Sequence, residues 1–318
     1  MKKIAVFSPA LSTTNLGDEI IWKSCQKVLY NIFSNDFLVK CSTHVPLGAW
    51  AKDILKNVDF KFIAGSNLLG KQSWLKKSQW NNFNAFNYKM AANSILLGVG
   101  WRHYLNKKPT FFTKYSYGNV LSKDYLHSVR DEFTAEKLKD LGFKNVINTG
   151  YPSIWDLTPE HCEKIPQTKS EKALTILIDS DKDFERDTYM LNTLLKNYSE
   201  VYIWIQGIRD YEYLQELNFQ DKLKIIPPNL KAYDEILEKE QVDFIGPRLH
   251  GGIRALQHAK RSIIIAVDNR ATEMSKDFNL PILQREHIAD LDNLINSKFK
   301  TEIKPPIENI NKWKTQFN

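Results

Sequence analysis

One pattern narrows the fold of this chain more than any other. Short apolar runs alternate, along nearly the whole length, with stretches whose apolar residues recur at i, i+3 and i+4. In the first half the runs fall at residues 4–7, 37–39, 60–64, 94–100, 126–129 and 146–147. In the second half they fall at 174–178, 201–205, 223–226, 242–245 and 263–267. Runs this short, separated by helical stretches, predict parallel strands covered on both faces. The clearest helix runs from Asp18 through Ile20, Ile21, Cys25, Val28 and Leu29 to Ile32, with Asp18 and Glu19 complementing its positive end. A second follows Arg130-Asp131, carries Phe133, Leu138 and Leu141 on one face and closes at Gly142. Others are expected near 185–197, 209–217, 231–239 and 252–259.

A chain of 318 residues exceeds the usual size of one core, which predicts two domains. The polar stretch 158–172, with Pro159 and Pro166, marks the boundary. The expected fold class is therefore α/β, with two Rossmann-like domains facing across a cleft in a GT-B-like arrangement. The expected divisions are 1–157, 170–300 and a C-terminal helix in 301–318 that packs back across the domains.

With 42% hydrophobic and 25% charged residues, the composition is that of an ordinary globular protein. No apolar run approaches the length of about 20 residues that spans a bilayer. The N-terminus has too few apolar residues before Ser8 for a signal-peptide core, so a cytoplasmic protein is expected. Cys25, Cys41 and Cys162 form no C-x-x-C pair and lie near no zinc-type ligand spacing, so reduced thiols and no metal site are expected.

Net charge is +7, but its placement says more. Residues 60–123 contain no Asp or Glu, while Lys61, Lys71, Lys76, Lys77, Lys89, Arg102, Lys107, Lys108, Lys114 and Lys123 are all positive. Such a block suits phosphate, pyrophosphate or an anionic membrane surface, with an inert solvated face as the plain alternative. Nucleic acid ranks lower, because no nucleic-acid module is recognisable. Within this block, Trp74, Trp80, Asn81, Asn82, Phe83, Asn84, Phe86, Asn87 and Tyr88 combine aromatic faces with amides. That mixture fits either sugar binding or a loop packing on its own core.

The stretch with most chemical content is Gly246-Pro247-Arg248-Leu249-His250-Gly251-Gly252, between the run at 242–245 and a helical pattern beginning at Ile253. Open α/β sheets place ligands at such strand-to-helix turns. A guanidinium and an imidazole two residues apart there point to an anion undergoing proton-coupled chemistry. Similar turns, with glycine or Asn, occur at Asn15-Leu16-Gly17-Asp18, Gly65-Ser66-Asn67 and Gly98-Val99-Gly100. Glycine would let backbone N–H groups approach a ligand closely, although no G-x-G-x-x-G dinucleotide fingerprint follows the first strand.

Taken in order, Asn15-Leu16-Gly17-Asp18-Glu19, Ser128-Val129-Arg130-Asp131-Glu132-Phe133-Thr134, Thr149-Gly150-Tyr151-Pro152, the 246–252 stretch and Ile265-Ala266-Val267-Asp268-Asn269-Arg270 resemble the polysaccharide pyruvyl transferase family. Two positions depart from its pattern. Tyr151 stands where the family usually has Asp, and Arg270 where it commonly has Lys; Arg keeps the charge but does not give up a proton. The resemblance implies a transferase that joins the enolpyruvyl group of phosphoenolpyruvate, as a cyclic ketal, to two hydroxyls of a saccharide, free or lipid-linked. Phosphoenolpyruvate is then a co-substrate, and no cofactor or metal is required.

On that reading His250 and Arg248 are catalytic. Arg130 and Arg270 bind the anions, with Leu249, Gly251, Asn15, Gly17 and Asp18 lining the site, the last three from the first domain. The first domain would face the acceptor and the second phosphoenolpyruvate. Plain alternatives remain for the arginines: Arg130 paired with Asp131 or Glu132, and Arg270 paired with Asp268 or Glu273. Two other functions also remain open. One is a GT-B glycosyltransferase using a nucleotide sugar, with Asp268 or Glu273 on a ribose diol. The other is an inactive glycan-binding protein of a polysaccharide assembly.

Overall fold

The computed structural model describes residues 1–70, 88–104 and 110–318. The amide-rich aromatic stretch from Trp74 to Asn87 and the lysines at 71, 76, 77, 107 and 108 lie outside the described residues. The chain divides into two compact units, one of Met1–Thr13, Ile21–Trp155 and Pro306–Asn318, the other of Thr14–Ile20 and Asp156–Pro305. Asn15, Gly17 and Asp18 were expected to belong to the first domain. The structure places them in the second unit, because Thr14–Ile20 clusters there.

The first unit is built on a parallel sheet of β1 (Lys3–Ser8), β2 (Phe37–Ser42), β3 (Phe60–Ala64) and β4 (Ser94–Leu97), in the order β2-β1-β3-β4. Its helices include α1 (Gly17–Ile32) from Ile21 onward, α2 (Ala49–Lys56), α3 (Phe111–Val120) and α4 (Glu132–Asp140), the last capped by Asp131. The strands β5 (His127–Val129) and β6 (Val146–Asn148) pair with each other in parallel. Beside β4, Gly98 N–H donates to the Ser128 carbonyl at 3.0 Å and Arg130 N–H to that of Val99 at 3.1 Å.

A buried imidazole is also a partner in this region: Leu96 N–H donates to His127 Nδ1 at 3.2 Å, while His127 Nε2 lies 2.9 Å from the Ser122 carbonyl. Nδ1 must therefore accept and Nε2 donate, which only the neutral ring can do. The C-terminal helix returns to this unit. Trp313 is fully buried, and Phe317 lies 5.4 Å from Phe62 and 5.8 Å from Phe60, ring centre to ring centre.

In the second unit, β7 (Lys172–Thr175), β8 (Glu200–Trp204), β9 (Lys224–Ile226), β10 (Val242–Gly246), β11 (Ser262–Ala266) and β12 (Ile282–Gln284) form one parallel sheet in the order β12-β11-β10-β7-β8-β9. Read from β9, this is the doubly wound 3-2-1-4-5-6 order, whose direction reverses between β7 and β10. The crevice beyond the carboxyl ends of strands at such a reversal is where open α/β sheets bind ligands. The helices are α5 (Pro159–Cys162), α6 (Phe184–Asn197), α7 (Asp210–Glu216), α8 (Leu230–Lys239), α9 (Leu249–Gln257), α10 (Asn269–Phe278) and α11 (Leu291–Asn296), and α12 (Ile307–Thr315) follows in the first unit. β12, α10 and α11 escape the reading of apolar runs: β12 has three residues, and the burial of α10 rests on mixed positions such as Ala271, Glu273 and Met274.

Two measurements test this account. Burial pushes the His127 pKa down to about 4 from an ordinary 6.5. The stabilisation from a neutral ring is complete above 6.5, declines as the unfolded chain takes up a proton below it, and is lost by about pH 4, a swing of about 3 kcal/mol. Denaturant unfolding near neutrality and near pH 5 should show about 2 kcal/mol of this loss in the wild type and less in His127→Gln; equal losses would refute the role. Separately, a methyl group on Gly246 would sit 2.9 Å from the Ile176 carbonyl oxygen and 3.1 Å from its nitrogen. Gly246→Ala should therefore cost about 1–3 kcal/mol of stability, read as a lowered unfolding midpoint.

Candidate functional site

The helix bearing the candidate residues starts earlier than the sequence pattern suggests. α9 begins at Leu249, not near Ile253, so His250, Gly251 and Gly252 lie inside its first turns, Gly246 ends β10, and only Pro247-Arg248 remain as the turn. The physical reason lies in packing. An added Cβ would fall 2.3 Å from Ile176 Cδ1 at Gly251 and 2.5 Å from Ile264 Cγ1 at Gly252. The two glycines thus let α9 lie close against the sheet, and the resulting contact outweighs their poor helix propensity. The Gly251 carbonyl also accepts from Tyr233 Oη at 2.9 Å, and the Tyr233 ring stacks on Trp204 at 4.1 Å.

Arg248 follows β10 at the reversal of strand order. Its Nε donates to the Leu177 carbonyl at 2.9 Å, and its Nη2 to Asp179 Oδ1 at 3.1 Å and Asp210 Oδ1 at 2.5 Å. Asp179 follows β7, and Asp210 opens α7 after β8. Asp210 is almost fully buried and also accepts from Gly207 N–H at 2.6 Å and Asp179 N–H at 3.1 Å. One carboxylate thus joins the turns after three neighbouring strands. Burial raises the Asp210 pKa, while Arg248 and the Gly207 amide oppose that shift by favouring its charge. His250 is 5% exposed, in the first turn of α9 beside this cluster in sequence.

The Asn15 turn is built onto the same strand ends. Leu16 N–H donates to the Gln206 carbonyl at 2.9 Å and Ile208 N–H to that of Thr14 at 3.0 Å, making a short antiparallel bridge with Asn15 opposite Gly207. Gln206 Nε2 and Gly17 N–H both donate to Asn15 Oδ1, at 2.9 and 3.1 Å. A Cβ on Gly17 would lie 2.8 Å from Gln206 Nε2, so a side chain there would displace the Gln206 amide from Asn15. Asp18 is buried in the first turn of α1. The structure therefore brings Asn15, Gly17 and Asp18 into the unit that carries Arg248, Leu249, His250 and Gly251.

Arg270 stands beyond β11, next to β10. Its backbone N–H donates to Asp268 Oδ1 at 2.9 Å and its Nε to Asp268 Oδ2 at 2.7 Å, so the pairing with Asp268 occurs. Arg130 lies in the first unit, fully buried, and donates to Asp131, Asn67, Tyr151 and the Trp101 carbonyl. Its pairing with Asp131 likewise occurs. The phenol of Tyr151, where the resembling family usually has a carboxylate, takes part in holding this guanidinium, which also lies 5.6 Å from the Tyr151 ring centre.

Sequence reasoning missed Asp179, Gln206 and Asp210. A signal existed for Asp210: Gly207-Ile208-Arg209-Asp210 repeats, after the run at 201–205, the pattern of a turn glycine followed by an acid at a helix start. Among the described residues no group of three or more His, Cys, Asp or Glu is placed to hold a metal ion. No described helix is long and apolar enough to cross a membrane.

Comparison with solved structures places the fold. The co-structure of S. aureus MnaA with UDP is 13% identical, covers 100% of this chain and 98% of its own, and has a TM-score of 0.58. The UDP-GlcNAc 2-epimerase from Neisseria meningitidis bound to UDP-GlcNAc is 13% identical, covers 100% of this chain and 94% of its own, and has a TM-score of 0.45. The likeness to MnaA, with the parallel sheets, bears out the GT-B-like α/β class expected from the alternating pattern. A search of curated proteins found no match. The model of the family described as polysaccharide pyruvyl transferase matches residues 15–269, from the Asn15 turn to the start of α10, and the chain belongs to that family.

Proposed function

We propose that this protein transfers the enolpyruvyl group of phosphoenolpyruvate onto two hydroxyls of a saccharide, forming a pyruvate ketal and releasing phosphate. The observation that carries this reading is the position of Arg248-Leu249-His250 at the reversal of strand order, entering a helix of nine residues. A guanidinium fixed there gives a forked donor for a carboxylate or phosphate, and the amides of the first helical turn add partial positive charge.

The chemistry needs two protons moved. The methylene carbon of phosphoenolpyruvate must gain one for C2 to become electrophilic, and the attacking hydroxyl must lose one. His250 is the residue suited to both, since imidazole gives and accepts protons near neutral pH. Attack of the first hydroxyl on C2 gives a tetrahedral phosphate ester. Its C2–O bond to phosphate then breaks, the second hydroxyl closes the ring and its proton leaves with phosphate. Arg248 and Arg270 would hold the anionic groups, and Leu249, Gly251, Asn15, Gly17 and Asp18 would border the substrate. Arg130, enclosed by its own partners, supports its turn.

The acceptor we propose is a saccharide of a surface polysaccharide or its lipid-linked precursor. The acid-free stretch from residue 60 to 123 would favour an anionic membrane surface nearby. Phosphoenolpyruvate is a metabolite of the cytoplasm, and the reaction would run there.

Incubation with phosphoenolpyruvate and a panel of saccharides should give phosphate release together with an acceptor heavier by one pyruvate ketal. His250→Ala should lower the rate by about 10²- to 10⁴-fold. Stabilisation by nucleotide sugars together with none by phosphoenolpyruvate would instead support a glycosyltransferase. Arg248→Lys retains the charge but loses the fork, and should lower kcat/KM by about 10- to 100-fold. An unimpaired Lys variant would show that a point charge suffices.

A further inference from the structure

We infer that Asp179 and Asp210 are positioning residues for Arg248: they grip one edge of its guanidinium, turn the other toward the ligand, and offset its charge so that a bound anion can leave. The inference rests on the reading of Arg248 as an anion ligand.

The hydrogen bonds define the edges. Nε and Nη2 are taken by Leu177, Asp179 and Asp210, whereas Nη1 has no hydrogen-bond partner among the described residues. The side chain is 10% exposed, and this remaining edge is the one left for a ligand. Asp210 is itself fixed by the Gly207 and Asp179 amides. A Cβ on Gly207 would lie 2.7 Å from Arg248 Nη2 and 3.0 Å from Asp210 Oδ1, so a side chain there would push on the pair.

The charges also matter. Two carboxylates meet one guanidinium, more than its neutralisation requires, and among the described residues only Asp179 has a second cation, Arg209, at 3.2 Å on its other oxygen. Arg209 is largely exposed, so solvent screens it more strongly than the buried pair. An anion at Nη1 therefore feels one near cation and, slightly farther away, two anions. A site that must release phosphate after every turnover gains from such an offset, because ground-state binding alone does not speed the chemistry.

The experiment is titration of the full chain with inorganic phosphate and, separately, with phosphoenolpyruvate. Wild type, Asp179→Asn and Asp210→Asn would be compared, with thermal unfolding of each. Asp179→Asn keeps an oxygen for Arg248 and removes a charge. It should bind phosphate about three- to tenfold tighter, with little change in melting temperature. Asp210→Asn should show a similar gain if it folds; should it not, Asp179→Asn alone decides the matter. Unchanged or weaker phosphate binding in Asp179→Asn would overturn the inference, as would a wild type that binds no phosphate. Tighter phosphate binding in a protein that binds no phosphoenolpyruvate would uphold the charge offset and refute the phosphoenolpyruvate reading.

Discussion

The candidate site depends on one buried carboxylate. Asp210 bonds the Gly207 amide, the Asp179 amide and Arg248, and so fixes the turns after β8, β7 and β10 against one another. Parallel strands bring their carboxyl ends to one edge, but they do not settle how the loops leave that edge. Asp210 does so here. An ion in this position is costly to desolvate, and removing one partner would leave the other uncompensated, a loss of about 3–5 kcal/mol in buried pairs. The turn that carries Arg248 is therefore tied to the integrity of its unit.

The glycines of the 246–252 stretch act on the same geometry from the other side. Gly246 lets β10 run within contact distance of the Ile176 backbone, and Gly251 and Gly252 seat α9 on Ile176 and Ile264. Each would lower helix or strand stability in isolation. Packed as they are, they set how far His250 and Arg248 stand from the sheet. In the sequence these glycines bracket a turn, and only Gly251 is read as lining the site. The structure gives these three glycines a packing role, and the helix consequently starts at Leu249.

Most of the architecture was legible because its signals are local. Parallel strands buried on both faces read as unbroken apolar runs, and α1 declares itself by periodicity and an acidic first turn. Strand order was not legible, since it depends on which runs pair at a distance. Nor was the second-unit membership of Asn15, which follows from hydrogen bonds to Gln206, 191 residues away. Asp179 and Asp210 were missed for a related reason. An acid after a strand is ordinary, and only the fold brings two of them to the same guanidinium.

Arg130 and Arg248 show most plainly where sequence reasoning must stop. Both follow a strand and precede a helix, and both pair with Asp. Their environments differ. Arg130 is fully enclosed, with bonds from Nε, Nη1 and Nη2, and a Cβ at Gly100 would fall 2.3 Å from its Cζ. There the guanidinium fills space and satisfies its surroundings, as buried charge must when it remains ionised. Arg248 has the same kind of grip on one side only, and keeps an edge in reach of solvent. A ligand can use the second arrangement without dismantling the fold, and using the first would require breaking bonds that hold it.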